Sequence, residues 1–115
     1  INENYAKMLQ YVVGWDVTVN ELEMTGARIC NLERAFHIRD GIRRKDDTLP
    51  HRVQYEPIPD GPHKGMHCPP EELSAMVDEY YQLRGWNSDG VPTVEKLREL
   101  ELDFVVDDWN TRNCF

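Results

Sequence analysis

The feature that most constrains this sequence is the stretch from Asn31 to Arg52, where a predicted helix ends abruptly at Gly41. Apolar and charged residues are mixed before that glycine. The basic run Arg43-Arg44-Lys45 and a Leu49-Pro50 pair follow it. Proline lacks an amide hydrogen, and it disfavours helix at the residue before it. The stretch carries six basic and four acidic side chains, whereas the rest of the chain carries seven basic and seventeen acidic ones. A basic segment in an acidic chain predicts a specific partner or structural role.

Length and charge limit the class of protein. The 115 residues predict one domain with a single modest core. The net charge of −8 argues against nucleic acid as a partner, because phosphate binding needs a broad basic face. No apolar run approaches the roughly 20 residues of a membrane helix, so we expect a cytoplasmic protein that has no membrane contact. The chain begins at Ile1 instead of methionine, which suggests a processed product or a piece of something longer.

Two helices are predicted before the basic run. Apolar residues spaced by three and four positions indicate a first helix that ends at Gly14. Thr18 and Glu21 have the spacing of a capping box, so a second helix should begin near Val19. It should continue for about twenty residues, within the ordinary range.

The second helix has an apolar stripe that repeats every seven residues, at Leu22, Ile29 and Phe36. We expect this stripe to face the core, with charged residues such as Arg34 towards the other face. Gly26 lies on the apolar face and costs about 1 kcal/mol relative to alanine, so another backbone is expected to pack closely there.

The segment from Gly41 to Cys68 is predicted to be a long irregular arm, because prolines and glycines interrupt every regular pattern. Loops of this length are uncommon in compact domains unless they are functional or held against something. A short strand at residues 53–55 has the right composition but no obvious partner strand.

Three further helical segments are predicted after the arm. Pro70 suits a first helical turn and Gly85 a helix end, so a helix should lie between them. Thr93 should cap a short helix, and a last turn near Trp109 is expected to pack back on the core. The predicted fold class is therefore mainly α, an irregular bundle of four to five helices with one Pro/Gly-rich arm.

Candidate metal ligands and catalytic groups are few. His63, His67 and the adjacent Cys68 could form a soft ligand set on a helix, but Gly65 makes a helix unlikely and favours solvated histidines. Cys30, Cys68 and Cys114 form no Cys-x-x-Cys pair, so neither a disulfide framework nor an iron–sulfur site is indicated. No nucleophile–base pair or phosphate loop appears. The residues alone predict no catalytic, cofactor-binding or metal-binding residue in this chain.

A series of motifs nevertheless resembles one known family. In order they are GWDVT, GARICNLERAFHIRDG, DDTLPHR, EPIPDGPHKG, EYYQLRGW and DGVPTVEKLREL. Together they are similar to the C-terminal helical domain of the aldehyde ferredoxin oxidoreductase family, over nearly the whole chain. His37 departs from the family's usual Asn, and Glu101 stands where a Gly often follows the last Leu. The second departure predicts that the last helix runs on into Phe104.

The resemblance implies a function for a larger parent enzyme. Family members oxidise aldehydes to carboxylic acids at a tungsten, or occasionally molybdenum, bis-pterin centre and pass electrons through one [4Fe–4S] cluster to ferredoxin. Some relatives reduce aromatic thioesters instead. The family's Cys-x-x-Cys-x-x-x-Cys and Asp-x-x-Gly-Leu-Cys motifs lie upstream of the part resembled here, and this sequence contains neither.

The resulting interpretation is a domain, residues 1–115, that packs beside the upstream cofactor domains and is inactive alone. Arg39, Asp47 and Arg52 are the candidate residues for contact with those domains or with the cavity, because guanidinium groups pair well with carboxylates and phosphates. The alternative for the basic run is a solvated charge cluster. The alternative for the whole chain is a free-standing helical interaction module that binds a protein partner through the basic arm.

Overall fold

In a computed structural model, which describes residues 2–112, the chain folds into six α-helices and one short 3-10 helix. The bounds are α1 (Glu3–Val13), α2 (Val19–Arg39), α3 (His51–Tyr55), α4 (Pro70–Arg84), α5 (Val94–Glu99) and α6 (Asp103–Arg112), with the 3-10 helix at Arg44–Asp46. Residues 2–112 contain no β-strand. The predicted mainly α-helical class is confirmed, with six helices in this range instead of four to five. Cys114 lies outside the described residues.

Capping residues set the helix boundaries where the sequence predicted them. The Thr18 hydroxyl accepts a hydrogen bond from the Glu21 amide at 3.2 Å, and the Thr18 amide donates to the Glu21 carboxylate at 2.8 Å. Gly14 and Gly85 lie directly after α1 and α4. The Thr93 hydroxyl accepts from the third amide of α5 at 3.2 Å. These ends depend on residues close in sequence, so they were predictable.

The core lies where α2, α5 and α6 meet. α6 packs back against both other helices, as predicted, and places Trp109 at the centre with 1% of its surface exposed. α2 contributes Ala35 and Ile38. The remaining core residues are Leu97, Leu100, Leu102, Val105 and Val106.

The apolar stripe predicted to face the core lies on the surface instead. Ile29 is 55% exposed and Phe36 is 53% exposed, while Leu22 is half-buried. The buried residues of α2 follow a different stripe, namely Asn31, Arg34, Ala35 and Ile38. Positions three and four apart share a helix face, so the core face is the one marked by Ile38 and not by Phe36. The prediction that Arg34 points away from the core was also wrong.

The arm is irregular over most of its length, but its one predicted strand is a helix. Residues 53–55 belong to α3, whose Val53 amide donates to the Pro50 carbonyl at 2.9 Å. The following loop is held by its own backbone, because the Ile58 amide donates to the Met66 carbonyl at 3.0 Å. The Cys68 amide donates to the Val53 carbonyl at 3.0 Å and returns the chain to α3. An extended strand at residues 53–55 would have no neighbouring strand to bond to its backbone amides and carbonyls, whereas a helical turn satisfies these groups locally.

Two expectations for single residues were wrong. No atom of another segment lies within 4 Å of the place a Cβ would take on Gly26, so no backbone packs closely there. The last helix does not run through Glu101, which has a φ of 58° and separates α5 from α6. This left-handed conformation stops a helix and costs a non-glycine residue energy. Arg28 supports the turn by pairing with the Glu101 carboxylate and by donating to the Leu100 carbonyl at 2.8 Å.

The molecule is a thin slab, with extents of 49 × 43 × 20 Å. Its radius of gyration is 18.4 Å, whereas a compact domain of this length has about 13 Å. α1 contacts α2 and exposes most of its large side chains, including Tyr5 and Tyr11. No helix within residues 2–112 is long and apolar enough to cross a membrane.

Two substitutions on α2 test which face is the core. Ile38→Ala should lower the free energy of unfolding by about 2–5 kcal/mol, since it empties a buried site. Phe36→Ala should cost less than about 1 kcal/mol in chain 1–115, because half of its surface is already exposed. Urea unfolding of both variants measures the difference. Equal losses would place Phe36 in the core.

Candidate functional site

The most constrained polar cluster lies between α2, the arm and the C-terminal end of α4, and Arg34 is at its centre. Arg34 is 6% exposed. Its Nη1 and Nη2 donate to Oδ1 and Oδ2 of Asp47 at 2.9 and 2.5 Å, and its Nε donates to the Gly90 carbonyl at 2.7 Å. This two-fold pairing matches the planar guanidinium to the carboxylate. One buried side chain therefore joins the arm and the turn after α4 to α2.

Aromatic rings enclose the same guanidinium. Its carbon lies 4.9 Å from the centroid of the Trp86 ring and 5.8 Å from that of Tyr81. The Tyr81 hydroxyl donates a short hydrogen bond to the Asp47 carboxylate. The indole of Trp86, two residues after the end of α4, donates to the Asn31 side-chain oxygen at 2.8 Å and ties this end of α4 to α2. Such ring contacts favour a desolvated cation.

The pairing shifts the pKa values of its members. Partial burial alone would raise the pKa of Asp47, but the hydrogen bonds from Arg34 and Tyr81 outweigh it and hold that pKa below its usual value. Burial tends to lower the pKa of Arg34, and its bonds to Asp47 outweigh this and raise it. Burial and then the bond to Asp47 raise the pKa of the Tyr81 hydroxyl. At neutral pH the cluster is a charged pair with a neutral phenol.

The turn after α4 brings the Gly90 carbonyl to Arg34. The Asn87 side-chain oxygen accepts from the amides of Asp89 and Val91, each at 3.0 Å, and so holds the turn. Gly90 has a φ of 75°, and a Cβ there would overlap Arg34 and lie 2.6 Å from the Tyr81 hydroxyl oxygen. Glycine is required here both by backbone conformation and by space.

Arg43 and Arg44 of the basic run are held against this chain and do not form a solvated charge cluster. Arg44 pairs with Asp78 on α4 at 3.0 Å, and its guanidinium lies 5.1 Å from the Tyr81 ring centroid. Arg43 donates to the Ile38 carbonyl at the end of α2 at 2.7 Å. The first part of the arm therefore docks onto α4 and α2 of its own domain.

A cleft of about 500 Å³ lies beside the cluster, between α2 and α4. Its floor includes Arg34 and Asp47, and Cys30 and Tyr80 stand at one side with the thiol sulfur 3.5 Å from the hydroxyl oxygen. The other lining residues are Glu33, His37, Leu73, Met76, Val77, Tyr81 and Trp86. The cleft is mainly apolar over a polar floor whose charges are already paired.

The three predicted contact residues are not brought together. Asp47 lies in the buried cluster, with a quarter of its side chain exposed. Arg39 is exposed on α2, where its guanidinium carbon lies 4.5 Å from the centroid of the Phe36 ring. Arg52 is exposed on α3 and pairs with Glu56 at 3.4 Å. Contact of these residues with another domain stays a prediction.

Sequence reasoning missed the centre of the cluster. Arg34 and Asn31 share a helix face with Ile38, at the spacing of three, four and seven residues that marks a buried face. That spacing was a signal that a charged residue was buried. Within residues 2–112, no group of three or more His, Cys, Asp and Glu residues is arranged to hold a metal ion.

Comparison with known proteins identifies the family. A family model described as aldehyde ferredoxin oxidoreductase, domains 2 & 3, matches residues 1–102. The chain belongs to this family. The resemblance of its motifs to aldehyde ferredoxin oxidoreductase is therefore confirmed.

Relatives in the aldehyde ferredoxin oxidoreductase family are much longer than this chain. The tungsten-containing aldehyde ferredoxin oxidoreductase of Pyrococcus horikoshii is 43% identical over 102 residues, 88% of this chain and 16% of that protein. The enzyme of the same name from Pyrococcus furiosus is 42% identical over 99 residues, 85% of this chain and 16% of that protein. The aliphatic sulfonate oxidoreductase, WOR-like subunit, of Pyrococcus furiosus is 38% identical over 93 residues, 76% of this chain and 15% of that protein.

A solved structure is also similar. A chain of the active site complex BamBC of benzoyl coenzyme A reductase, in complex with 1,5-dienoyl-CoA, matches with a TM-score of 0.75 and 33% identity. The match covers 97% of this chain and 16% of that chain. The chain thus spans about one sixth of the length of the proteins that it matches.

Replacing Gly90 tests how tightly the cluster is packed. Gly90→Ala and Gly61→Ala should each lower the free energy of unfolding by about 1–2 kcal/mol, because both glycines have positive φ and alanine is strained in that conformation. Gly90→Ala should lose about 1–3 kcal/mol more from overpacking, because Arg34 is held by Asp47 and cannot swing aside. Thermal and urea unfolding measure both losses. Equal losses at the two positions would mean that the side chains of the cluster can move to make room for the added methyl group.

Replacing Asp47 tests the charged pair. A pKa held below the ordinary value of 3.8 stabilises the fold above that pH, and this contribution is lost as pH falls through the folded-state pKa. Asp47→Asn should therefore cost about 3 kcal/mol at pH 7, by leaving a buried guanidinium unpaired. The difference from the unchanged chain should shrink below pH 3.8. Urea unfolding across this range measures it.

The matched control is Asp107→Asn, which removes the same charge from an exposed position on α6. It should change the free energy of unfolding little at either pH. An Asp47→Asn variant as stable as this control at pH 7 would show that the pair contributes nothing net.

Proposed function

We propose that this chain is the C-terminal domain of a larger oxidoreductase that oxidises aldehydes to carboxylic acids. In that reaction an aldehyde and water give the acid, two protons and two electrons. In the proposal the parent enzyme would hold a tungsten, or alternatively molybdenum, bis-pterin centre that supplies the oxidation chemistry, and a [4Fe–4S] cluster that supplies electron transfer to ferredoxin in the cytoplasm. Support comes from the family and from the names of two relatives more than 40% identical.

The observation that best supports a role as one domain of a larger protein is the large solvent-accessible surface of the chain. The chain exposes 8384 Å², whereas a monomer of 13.5 kDa has about 6,500 Å² by the usual scaling with mass. The excess agrees with the slab shape and with exposed side chains such as Phe36, Phe104 and Tyr11. A domain that packs against further protein has such a surface.

The described residues do not suit the cofactors of the proposed reaction. The cysteines Cys30 and Cys68 lie in separate places, and residues 2–112 hold no cluster of potential metal ligands. We therefore assign the pterin, tungsten and iron–sulfur ligands to the upstream part of the parent enzyme. No catalytic step is assigned to a residue of this chain.

The contribution that we propose for this domain is a fixed cavity wall. The Arg34–Asp47 pair holds the arm on α2, and the bond between Trp86 and Asn31 holds α4 on α2. Together they fix the mainly apolar cleft between these helices. In the proposal the cleft faces the substrate cavity, and Arg39, Asp47 and Arg52 lie towards the cofactor domains.

The longer reading frame provides the test. The DNA upstream of the Ile1 codon should encode the Cys-x-x-Cys-x-x-x-Cys and Asp-x-x-Gly-Leu-Cys motifs. The full polypeptide should hold tungsten and iron by elemental analysis and reduce a viologen dye when aldehyde is added. Chain 1–115 should do neither, which makes it the matched control. A start codon directly before Ile1 would contradict this function and favour the free-standing interaction module.

A further inference from the structure

The heptad stripe of α2 is an apolar surface that residues 2–112 leave largely open. Leu22, Ile29 and Phe36 recur every seven residues, and Leu32, which is 42% exposed, lies between the last two. α2 thus has an apolar face besides the one that it buries against α5 and α6. A surface helix of a soluble domain normally carries one apolar face.

The shape around the stripe is a groove. A cavity of about 450 Å³ runs between α2 and α6, lined by Leu32 and Phe36 on one side and by Phe104 on the other. Its floor is the edge of the core at Val105 and Trp109. The groove is therefore backed by the core of the domain.

The spacing of the stripe indicates what kind of element covers it. A seven-residue apolar repeat keeps one seam facing a neighbouring helix over several turns, with side chains interlocking across the seam. Loops and strands do not match this period. The stripe on α2 spans residues 22–36, enough for four turns of a partner helix.

We propose that this stripe and the adjoining groove, residues 22, 29, 32, 36 and 104, bind an amphipathic helix from the upstream part of the same polypeptide. The inference rests on the proposed function. We assign the partner helix to the same polypeptide because this chain has about one sixth of the length of its relatives. The similar solved chain is also about six times as long as this one.

The positive charge at the rim of the groove indicates which side chains the partner helix carries. Arg39 stands at the rim of the groove with its guanidinium carbon 4.5 Å from the Phe36 ring centroid. A carboxylate on the incoming helix would pair with this cation once water is excluded. The partner is therefore a helix with Leu- or Ile-like residues at heptad spacing and an Asp or Glu at the end that meets Arg39.

Cysteine labelling of the longer polypeptide tests the surface. Ile29→Cys and Phe36→Cys should react with a maleimide at least roughly tenfold more slowly than Glu23→Cys, an exposed polar position of the same helix. The unsubstituted polypeptide gives the background from its own cysteines. Ultracentrifugation of each sample shows whether it is monomeric.

Each outcome decides the proposal. Protection at positions 29 and 36 in a monomer supports docking of an upstream helix. Labelling there as fast as at position 23 overturns it, as does equal protection at all three positions, which would mean a fully enclosed helix. Protection found only in dimers would assign the surface to a second copy and overturn it too. Aldehyde-dependent dye reduction is measured on the same samples, so fast labelling of an active enzyme rejects the docking and keeps the function.

Discussion

The charged pair of Arg34 and Asp47 is the interaction on which the arrangement of this domain depends. Removing a guanidinium from water costs several kcal/mol, and only good geometry with full pairing offsets that cost. Arg34 meets this requirement with two bonds to Asp47, one to the Gly90 carbonyl and the ring face of Trp86. The bonded groups lie in three segments that are far apart in sequence. Without the pair, the arm would lose one of its bonds to α2, and Arg34 would lose the partner that orients it towards the Gly90 carbonyl.

Local sequence determined the helix boundaries well, because a cap involves residues within one turn. Thr18 with Glu21 and the glycine after α4 needed no tertiary information. The core face of α2 was assigned wrongly for a physical reason. Ranking faces by hydrophobicity selects Phe36 and Ile29, but the face that this chain can cover is the one with Ala35 and Ile38. The more apolar face has no cover among residues 2–112.

The candidate site was predictable only in part. Asp47 was selected from the basic arm, but its partners Arg34 and Tyr81 are separated from it by 13 and 34 positions, and no local pattern connects them. Glu101 was also beyond the reach of a local pattern. It stands where the resembled family often has Gly, and it adopts a left-handed conformation that favours glycine, with support from Arg28.

The polar cluster and the open stripe are connected through the rigidity of α2. Apolar packing tolerates small sliding of one helix on another, whereas several directed bonds at fixed distances do not. The bonds of Arg34 and Asn31 therefore fix the register of the arm and α4 on the buried face of α2. The core contacts of Ile38, on the same face, fix α5 and α6. A helix held in this way presents Phe36 and Ile29 at defined positions, so a partner helix that packs on the stripe also sets the position of the cleft between α2 and α4.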